Sequence, residues 1–117
     1  MELEVGMYVR TNKGIFQIRN KDVFIEDKKQ YIGVNGRYTC IDIETIEKAS
    51  HNIIDLIEVG DYVNGYKVSF KGNDYKPFVQ CDYPVQEGTT NHYRFYEEAI
   101  YSIVTKEQFE AMQYKVV

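Results

Sequence analysis

The chain has 117 residues, of which 44% are hydrophobic and 27% are charged, and its formal net charge at pH 7 is -4. This length fits one domain or two very small ones, and no segment approaches the roughly 20 apolar residues that a membrane-spanning helix needs. The acidic balance disfavours a protein that follows a nucleic-acid backbone, and the N-terminus lacks the basic and apolar segments of a signal peptide, so we expect a cytoplasmic protein.

The first half of the chain is predicted to form short antiparallel strands. Apolar and polar residues alternate from Leu3 to Val9, with a bend at Gly6. Gly14 and the pair Asn35-Gly36 are expected to close hairpins, because these residue types adopt the backbone conformations that tight turns require. The predicted strands are residues 3–9, 15–18, 23–25, 31–34 and 37–41, with a turn at residues 20–22.

A short helical turn is predicted after these strands. Asp42 is placed to cap it, and Ile43, Ile46 and Ala49 recur at three-residue spacing. Residues 52–57 are predicted to resume as a strand that runs directly into the second half of the chain. Because no linker rich in Pro, Gly or Ser separates the halves, we expect a rigid junction.

The second half is predicted to contain another set of strands and a terminal helix. The pair Asn64-Gly65 favours a tight hairpin turn. Thr105 and Gln108 have the spacing of a capping box, which predicts a helix ending near Met112 with Phe109 and Met112 docked on this half. The predicted strands are residues 59–63, 66–70, 78–83 and 92–96, and residues 99–104 are predicted to form a strand or a helical turn.

A sequence repeat connects the two halves. Residues 3–9 are Leu-Glu-Val-Gly-Met-Tyr-Val, and residues 57–63, which lie 54 positions later, are Ile-Glu-Val-Gly-Asp-Tyr-Val. A second match places Tyr38 opposite Tyr93 at an offset of 55. Such self-similarity indicates paired copies of one supersecondary unit, which predicts domains at 1–56 and 57–117. Because an isolated unit this short buries only about 60% of its unfolded surface, we expect the two copies to pack together.

Each copy resembles a small SH3-like barrel. The resemblance rests on several short strands, tight glycine turns and a one-turn helix before the last strand. It implies a mainly β protein of two tandem SH3-like barrels packed together, with short helical turns and a short C-terminal helix. Since small barrels host many unrelated functions, this resemblance alone does not predict an activity.

Two segments resemble small accessory proteins of phages and prophages in low-GC Gram-positive bacteria. The segments are residues 50–65 and 102–110, together with the ending at residues 114–116. The resemblance implies a phage-derived protein that binds and inhibits a host protein, such as a CRISPR nuclease or another defence component. It carries over no catalytic residue.

The cysteine and histidine residues lack the sequence spacing of known catalytic or metal-binding motifs. Cys40 and Cys81 do not form a CxxC motif, and we expect both to be reduced thiols. His51 and His92 lack partners at the spacing of metal ligands, and no glycine-rich phosphate loop is present. The sequence therefore predicts a protein that is not an enzyme and holds no metal or cofactor.

Aromatic residues concentrate in the second half and suggest a binding surface. In residues 93–96, strand alternation places Arg94 and Tyr96 on one face of the strand. Tyr93 and Phe95 then lie on the other face. Because one face is core, the other presents arginine beside tyrosine, and both residue types are common at the energetic centres of interfaces. The candidate binding residues are Tyr75, Lys76, Tyr83, Arg94 and Tyr96.

Three functions fit this surface. The first is a noncatalytic protein that binds a host protein through its second half. The second is a nucleic-acid or nucleotide binder that stacks bases on exposed tyrosines. The third is a structural module that assembles as a homo-oligomer. The charge balance favours the first over the second, and only the resemblance to phage proteins favours it over the third.

Overall fold

The computed structural model describes residues 2–36, 38–86 and 89–112, and it describes residues 21, 22, 83–86 and 89–91 by their backbone alone. The chain divides into two compact units, Met1–Leu56 (unit 1) and Ile57–Val117 (unit 2). None of the helices in these described ranges combines the length and the apolar content needed to cross a bilayer.

Unit 1 is a five-stranded antiparallel sheet with the strand order β4-β3-β2-β1-β5. Its core cluster includes Val9, Ile18, Ile32 and Val34, all at most 2% exposed. Single-turn 3-10 helices follow the fourth and fifth strands, at Ile43–Thr45 and Ile53–Leu56. The strands are β1 (Tyr8–Thr11), β2 (Gly14–Glu26), β3 (Lys29–Asn35), β4 (Cys40–Asp42) and β5 (Lys48–Ser50).

Unit 2 repeats this arrangement, with the strand order β10-β6-β7-β8-β9. Its core face carries Val63, Val68, Val79 and Cys81, all at most 1% exposed. A 3-10 helix, Glu97–Ala99, precedes the last strand, and a helix, α1 (Lys106–Met112), follows it. The strands are β6 (Tyr62–Val63), β7 (Tyr66–Asn73), β8 (Pro77–Gln86), β9 (Thr89–Tyr96) and β10 (Ile103–Val104).

The predicted mainly β fold and the short helix near the C-terminus are confirmed by these elements. The finer prediction of closed barrels is not. In the described residues, β4 and β5 form the two edges of one sheet, β9 and β10 form the two edges of the other, and neither pair of edges is joined by hydrogen bonds. Each unit is therefore an open sheet of antiparallel strands.

The sequence repeat corresponds to a repeated backbone turn. Gly6 and Gly60 both have a positive φ, of 90° and 100°. The Gly6 N–H donates to the Ile18 carbonyl at 3.0 Å, and the Gly60 N–H donates to the Val68 carbonyl at 2.9 Å. A side chain other than glycine is strained at such a φ, which accounts for glycine at both positions.

Met7 and Asp61, which follow these glycines, each accept a hydrogen bond from the backbone N–H three residues earlier, one through sulfur and the other through a carboxylate. The Glu4 N–H donates to Met7 Sδ at 3.3 Å, and the Glu58 N–H donates to Asp61 Oδ2 at 2.7 Å. Asp61 is fully buried, and its Oδ1 also accepts the Lys106 N–H at 2.9 Å. One carboxylate thus fixes both the entry to unit 2 and the first residue of α1.

The offset of 54 recurs at the 3-10 helix and the last strand of each unit, which corrects the second sequence match. Asp42 and Tyr96 are the N-cap residues of the two equivalent 3-10 helices and lie 54 positions apart. At that offset Tyr93 corresponds to Thr39, so the predicted equivalence of Tyr38 and Tyr93 is wrong by one residue. Two tyrosines one position out of register produced the apparent offset of 55.

Several local predictions are confirmed. Asn64 and Gly65 both have positive φ values, 53° and 87°, and connect β6 to β7 as a two-residue turn. Asp42 Oδ1 accepts the Glu44 N–H at 2.9 Å and caps the first 3-10 helix. The capping box at the start of α1 is also present: Gln108 N–H donates to Thr105 Oγ1 at 3.2 Å, and Thr105 N–H donates to Gln108 Oε1 at 2.9 Å.

Other local predictions are wrong. Residues 53–56 form a 3-10 helix instead of a strand, because Asn52 Oδ1 accepts the Ile54 N–H and starts a helical turn. β2 continues through the predicted turn at residues 20–22, with an irregularity in its pairing between Ile18 and Val23. Strand β1 begins only at Tyr8, since the turn at Gly6 occupies the preceding residues.

The terminal helix is less buried than predicted. Phe109 is 38% exposed and Met112 is 61% exposed. Phe109 stacks on Tyr62, with the ring centroids 4.4 Å apart and an interplanar angle of 26°. The helix therefore contacts unit 2 through one aromatic pair and its capping network, and the prediction that Met112 is buried is wrong.

Candidate binding surface

The strands of unit 2 have one core face and one outer face. Val79 and Cys81 alternate with Phe78 and Gln80 along β8, and the register pairs Phe78 with Tyr96 across β9. Since successive side chains point to opposite faces of a strand, Phe78 and Tyr96 lie on the face opposite the buried valine and cysteine. Arg94, which pairs with Gln80, lies on this outer face as well.

Phe78 is only 4% exposed although it lies on the outer face. Its neighbour across the β7–β8 ladder is Gly72, where an added Cβ would come within 2.5 Å of Phe78 Cζ and 2.8 Å of Phe70 Cε1. The glycine therefore leaves the space that the Phe78 ring fills. Phe70 lies beside that ring, with centroids 6.2 Å apart, and is itself 52% exposed.

Arg94 covers the Phe78 ring from the solvent side. Its Cζ lies 4.1 Å from the ring centroid, and its Nη1 lies 3.8 Å from Asp74 Oδ2. A guanidinium over an aromatic face is attracted by the negative charge on that face. The Arg94 side chain is 46% exposed, so it is held in position while remaining accessible to a partner.

A second group of side chains lies beside Phe78 and Arg94 on the same face. It consists of Tyr75, Lys76, Tyr96 and Glu98. The Tyr75 and Tyr96 rings lie 5.2 Å apart, and Lys76 Nζ lies 5.5 Å from the first centroid and 5.0 Å from the second. Lys76 also forms a hydrogen-bonded ion pair with Glu98. This bond raises the pKa of Lys76 and lowers the pKa of Glu98. Tyr75 remains 75% exposed.

We call this cluster the aromatic face. It brings together four of the five residues predicted from the sequence. The fifth, Tyr83, lies in β8 opposite Asn91, and its side chain is outside the described part of the structure. The aromatic face consists of Phe70, Tyr75, Lys76, Phe78, Arg94 and Tyr96.

The sequence prediction missed the two phenylalanines and the two carboxylates of this cluster. Phe78 was not predicted as a site residue, because strand alternation does not show which outer-face side chain becomes buried beneath its neighbours. A glycine inside a strand is a sequence feature that often marks a close approach by another group, and Gly72 therefore could have indicated the packed ring. Asp74 and Glu98 approach Arg94 and Lys76 through the hairpin and the 3-10 helix, which sequence spacing does not reveal.

Next to the aromatic face, a polar row crosses the same strands. Asp82 Oδ1 lies 2.6 Å from His92 Nδ1 and accepts the Ser69 hydroxyl at 3.0 Å. The carboxylate lies between the other two groups, whereas a nucleophilic triad needs the histidine in the middle. Within the described ranges, no three His, Cys, Asp or Glu residues are grouped so that they could hold a metal ion.

The two cysteines differ in environment. Cys81 is fully buried in the core of unit 2, and burial raises the pKa of its thiol to about 11. A thiol with so high a pKa is a poor nucleophile at neutral pH, because the reactive species is the thiolate. Cys40 is partly exposed in unit 1.

Comparisons with known proteins gave no significant match to a protein-family model, a curated protein or a solved structure.

Proposed function

We propose that the protein is a noncatalytic binding protein that docks on another protein through the aromatic face of unit 2. The observation that carries this proposal is the exposure of Arg94 over a buried Phe78 ring, beside Tyr75, which is 75% exposed and packs against Tyr96. Aromatic side chains and arginine supply much of the energy of protein interfaces. Aromatic rings bury a large area at a small entropic cost, and the guanidinium donates several hydrogen bonds. A buried ring beneath them fixes their positions before the partner arrives.

The charge of the aromatic face favours a protein partner over a nucleic acid. Each cation has its own carboxylate, Glu98 for Lys76 and Asp74 for Arg94. A surface that binds phosphates gains its affinity from cations that are free to displace counterions. Here each cation lies beside a carboxylate, so the surface is better suited to aromatic and hydrogen-bonded contacts.

The resemblance to phage and prophage accessory proteins supports a more specific form of the proposal. In this form the partner is a host protein of a Gram-positive bacterium, for instance a defence nuclease or effector, and binding inhibits it in the cytoplasm. The strand order of each unit, with a 3-10 helix before the strand that returns to the first one, supports an SH3-like ancestry for both units.

A pull-down from a host lysate tests the proposal. The bait is the tagged protein, the test variant is Tyr75→Ala with Tyr96→Ala, and the matched control is Tyr101→Ala, which removes a tyrosine that is 82% exposed and outside the aromatic face. We expect a protein that is captured by the wild type and the control, survives nuclease treatment, and is lost with the double variant.

Other outcomes separate the alternatives. Capture of nucleic acid alone, or loss of all capture on nuclease treatment, supports base stacking on the tyrosines. A dimer or larger assembly of the purified protein, broken by the double variant and not by the control, supports a homo-oligomeric module. Capture of the same protein by wild type and double variant removes the aromatic face from the proposal.

A further inference from the structure

The position in unit 1 that corresponds to the aromatic face is a cavity. Tyr31 pairs with Asp42 between β3 and β4, as Phe78 pairs with Tyr96 between β8 and β9. Around the first pair lies a cavity of about 240 Å³. From its lining we infer that unit 1 binds a small organic anion in which a carboxylate or phosphate is joined to a flat ring.

The β1–β2 hairpin builds one wall of this cavity. Val9 pairs with Phe16 in unit 1, and the equivalent Val63 pairs with Tyr66 in unit 2. Six residues separate the first pair and two separate the second, so the hairpin of unit 1 is longer by four residues. Lys13, at the tip of the longer hairpin, lines the cavity. The cavity is therefore a feature of unit 1 rather than of the shared fold.

The polar groups of the cavity are mainly donors. Lys13 and Lys29 contribute ammonium groups, and Tyr31 and Tyr38 contribute phenol hydroxyls. Within the described residues, neither phenol makes a hydrogen bond, and no carboxylate lies within ion-pair distance of Lys13. Lys13 Nζ instead lies 5.2 Å from the Tyr38 ring centroid.

The acceptors of the cavity are largely occupied. Asp42 Oδ1 accepts the Glu44 N–H, and Asp42 Oδ2 lies 3.9 Å from Lys29 Nζ, at the outer limit of an ion pair. The Thr45 hydroxyl donates to the Asp42 carbonyl at 2.7 Å. Two ammonium groups and one carboxylate give the lining a net positive charge, which favours an anionic ligand.

Two aromatic rings supply flat apolar walls. Tyr31 stacks on Phe24, with centroids 5.5 Å apart, and Tyr38 packs edge-on against Phe16 at 5.8 Å. Each ring is held by an aromatic neighbour, and both tyrosines line the cavity. A flat ring of a ligand can stack on such a surface, and its anionic group can then reach the lysines.

Calorimetry with two probes tests the inference. AMP represents a ring with a phosphate and 4-hydroxybenzoate a ring with a carboxylate, while adenosine and inorganic phosphate supply the ring and the anion separately. We expect AMP or 4-hydroxybenzoate to bind, and whichever binds identifies the anionic group. Lys13→Ala is expected to weaken that binding about tenfold, the effect of losing one charge-assisted hydrogen bond. Lys67→Ala, an exposed lysine of unit 2 that does not line the cavity, is the matched control.

Alkylation of Cys40 gives a second readout that does not depend on a variant. Cys40 lines the cavity, so a bound ligand is expected to slow its reaction with iodoacetamide, whereas buried Cys81 stays unmodified with or without ligand. Absence of binding by both ring anions at millimolar concentration would overturn the inference. Equal binding by wild type and Lys13→Ala, or binding that leaves the Cys40 rate unchanged, would overturn it as well.

Discussion

Units 1 and 2 carry the same strands in the same order, yet they differ at one equivalent position. In unit 2 that position holds the buried Phe78 ring, which Arg94 and Tyr96 contact. In unit 1 the same strands carry Tyr31 and Asp42 beside an open cavity. Two small differences produce this contrast. Gly72 in β7 leaves space for the Phe78 ring in unit 2, and the longer β1–β2 hairpin of unit 1 places Lys13 at the edge of the cavity.

The comparison shows how a repeated unit can acquire two different outer surfaces without a change of fold. The core residues and the glycine turns preserve the sheet in both copies. The side chains on the outer face are free to change, because they are not needed to hold the sheet together. An exposed aromatic surface suits a protein partner, and a donor-rich cavity suits a small anion.

The largest expected difference between the units is in the outer-face ring itself. Phe78→Ala removes a ring that is 4% exposed, and we expect it to lower the free energy of unfolding by about 3 kcal/mol. Tyr31→Ala removes a half-buried ring, and we expect a loss of about 1 kcal/mol. Urea denaturation measures both. Equal losses would mean that the outer faces of the two units are packed alike.

The next largest difference concerns the residue after the repeated glycine. Asp61→Ala leaves the N–H groups of Glu58 and Lys106 without their acceptor, and we expect it to cost about 2 kcal/mol. Met7→Ala removes a partly buried side chain with one weak hydrogen bond, and we expect it to cost about 1 kcal/mol. If the two variants unfold at the same urea concentration, Asp61 does not anchor α1.

A smaller effect is expected at the helical segments that end the units. Thr105→Ala removes one half of the capping box of α1 and is expected to cost about 1 kcal/mol. Asn52→Ala removes the acceptor that starts a single 3-10 turn and is expected to cost about 0.5 kcal/mol. Amide hydrogen exchange of residues 106–112 should accelerate in the first variant only. Unchanged exchange there would show that the capping box does not hold α1.

The smallest effect is the pH dependence of the Lys76–Glu98 pair. Because the pKa of Glu98 is lowered, its contribution to stability is present above the ordinary carboxyl pKa and is lost as the pH falls through the lowered value. Because the pKa of Lys76 is raised, its contribution is present below 10.5 and is lost above the raised value. An NMR titration should show the Lys76 pKa moving down towards 10.5 in Glu98→Gln. An unchanged pKa would mean that the pair does not form in solution.

The sequence was most informative where structure is set by neighbouring residues. The Asn64-Gly65 turn, the Asp42 cap and the capping box of α1 are local, and each was predicted correctly. Residues 53–56 were misassigned because a short apolar run fits a strand as well as a helical turn, and the Asn52 side chain decided between them.

The candidate site was only partly predictable for the same reason. Strand alternation placed Arg94 and Tyr96 on one face, which the register confirms. The platform beneath them depends on Gly72 lying across from Phe78, and the cavity of unit 1 depends on residues from three strands and the segments that connect them. Such contacts join residues that are distant in sequence, and no pattern along the chain reports them.

Affinity for the captured protein partner tests the central claim most directly. Arg94→Ala removes the exposed cation over Phe78 and is compared with Arg19→Ala, which removes an exposed arginine of unit 1. We expect Arg94→Ala to weaken binding by at least about 1 kcal/mol and Arg19→Ala to leave it unchanged. Wild-type affinity should fall only slightly between 50 mM and 200 mM salt, whereas binding through several phosphates would fall about a thousandfold. Equal affinities for the two variants, or a thousandfold loss in salt, would contradict a protein-binding aromatic face.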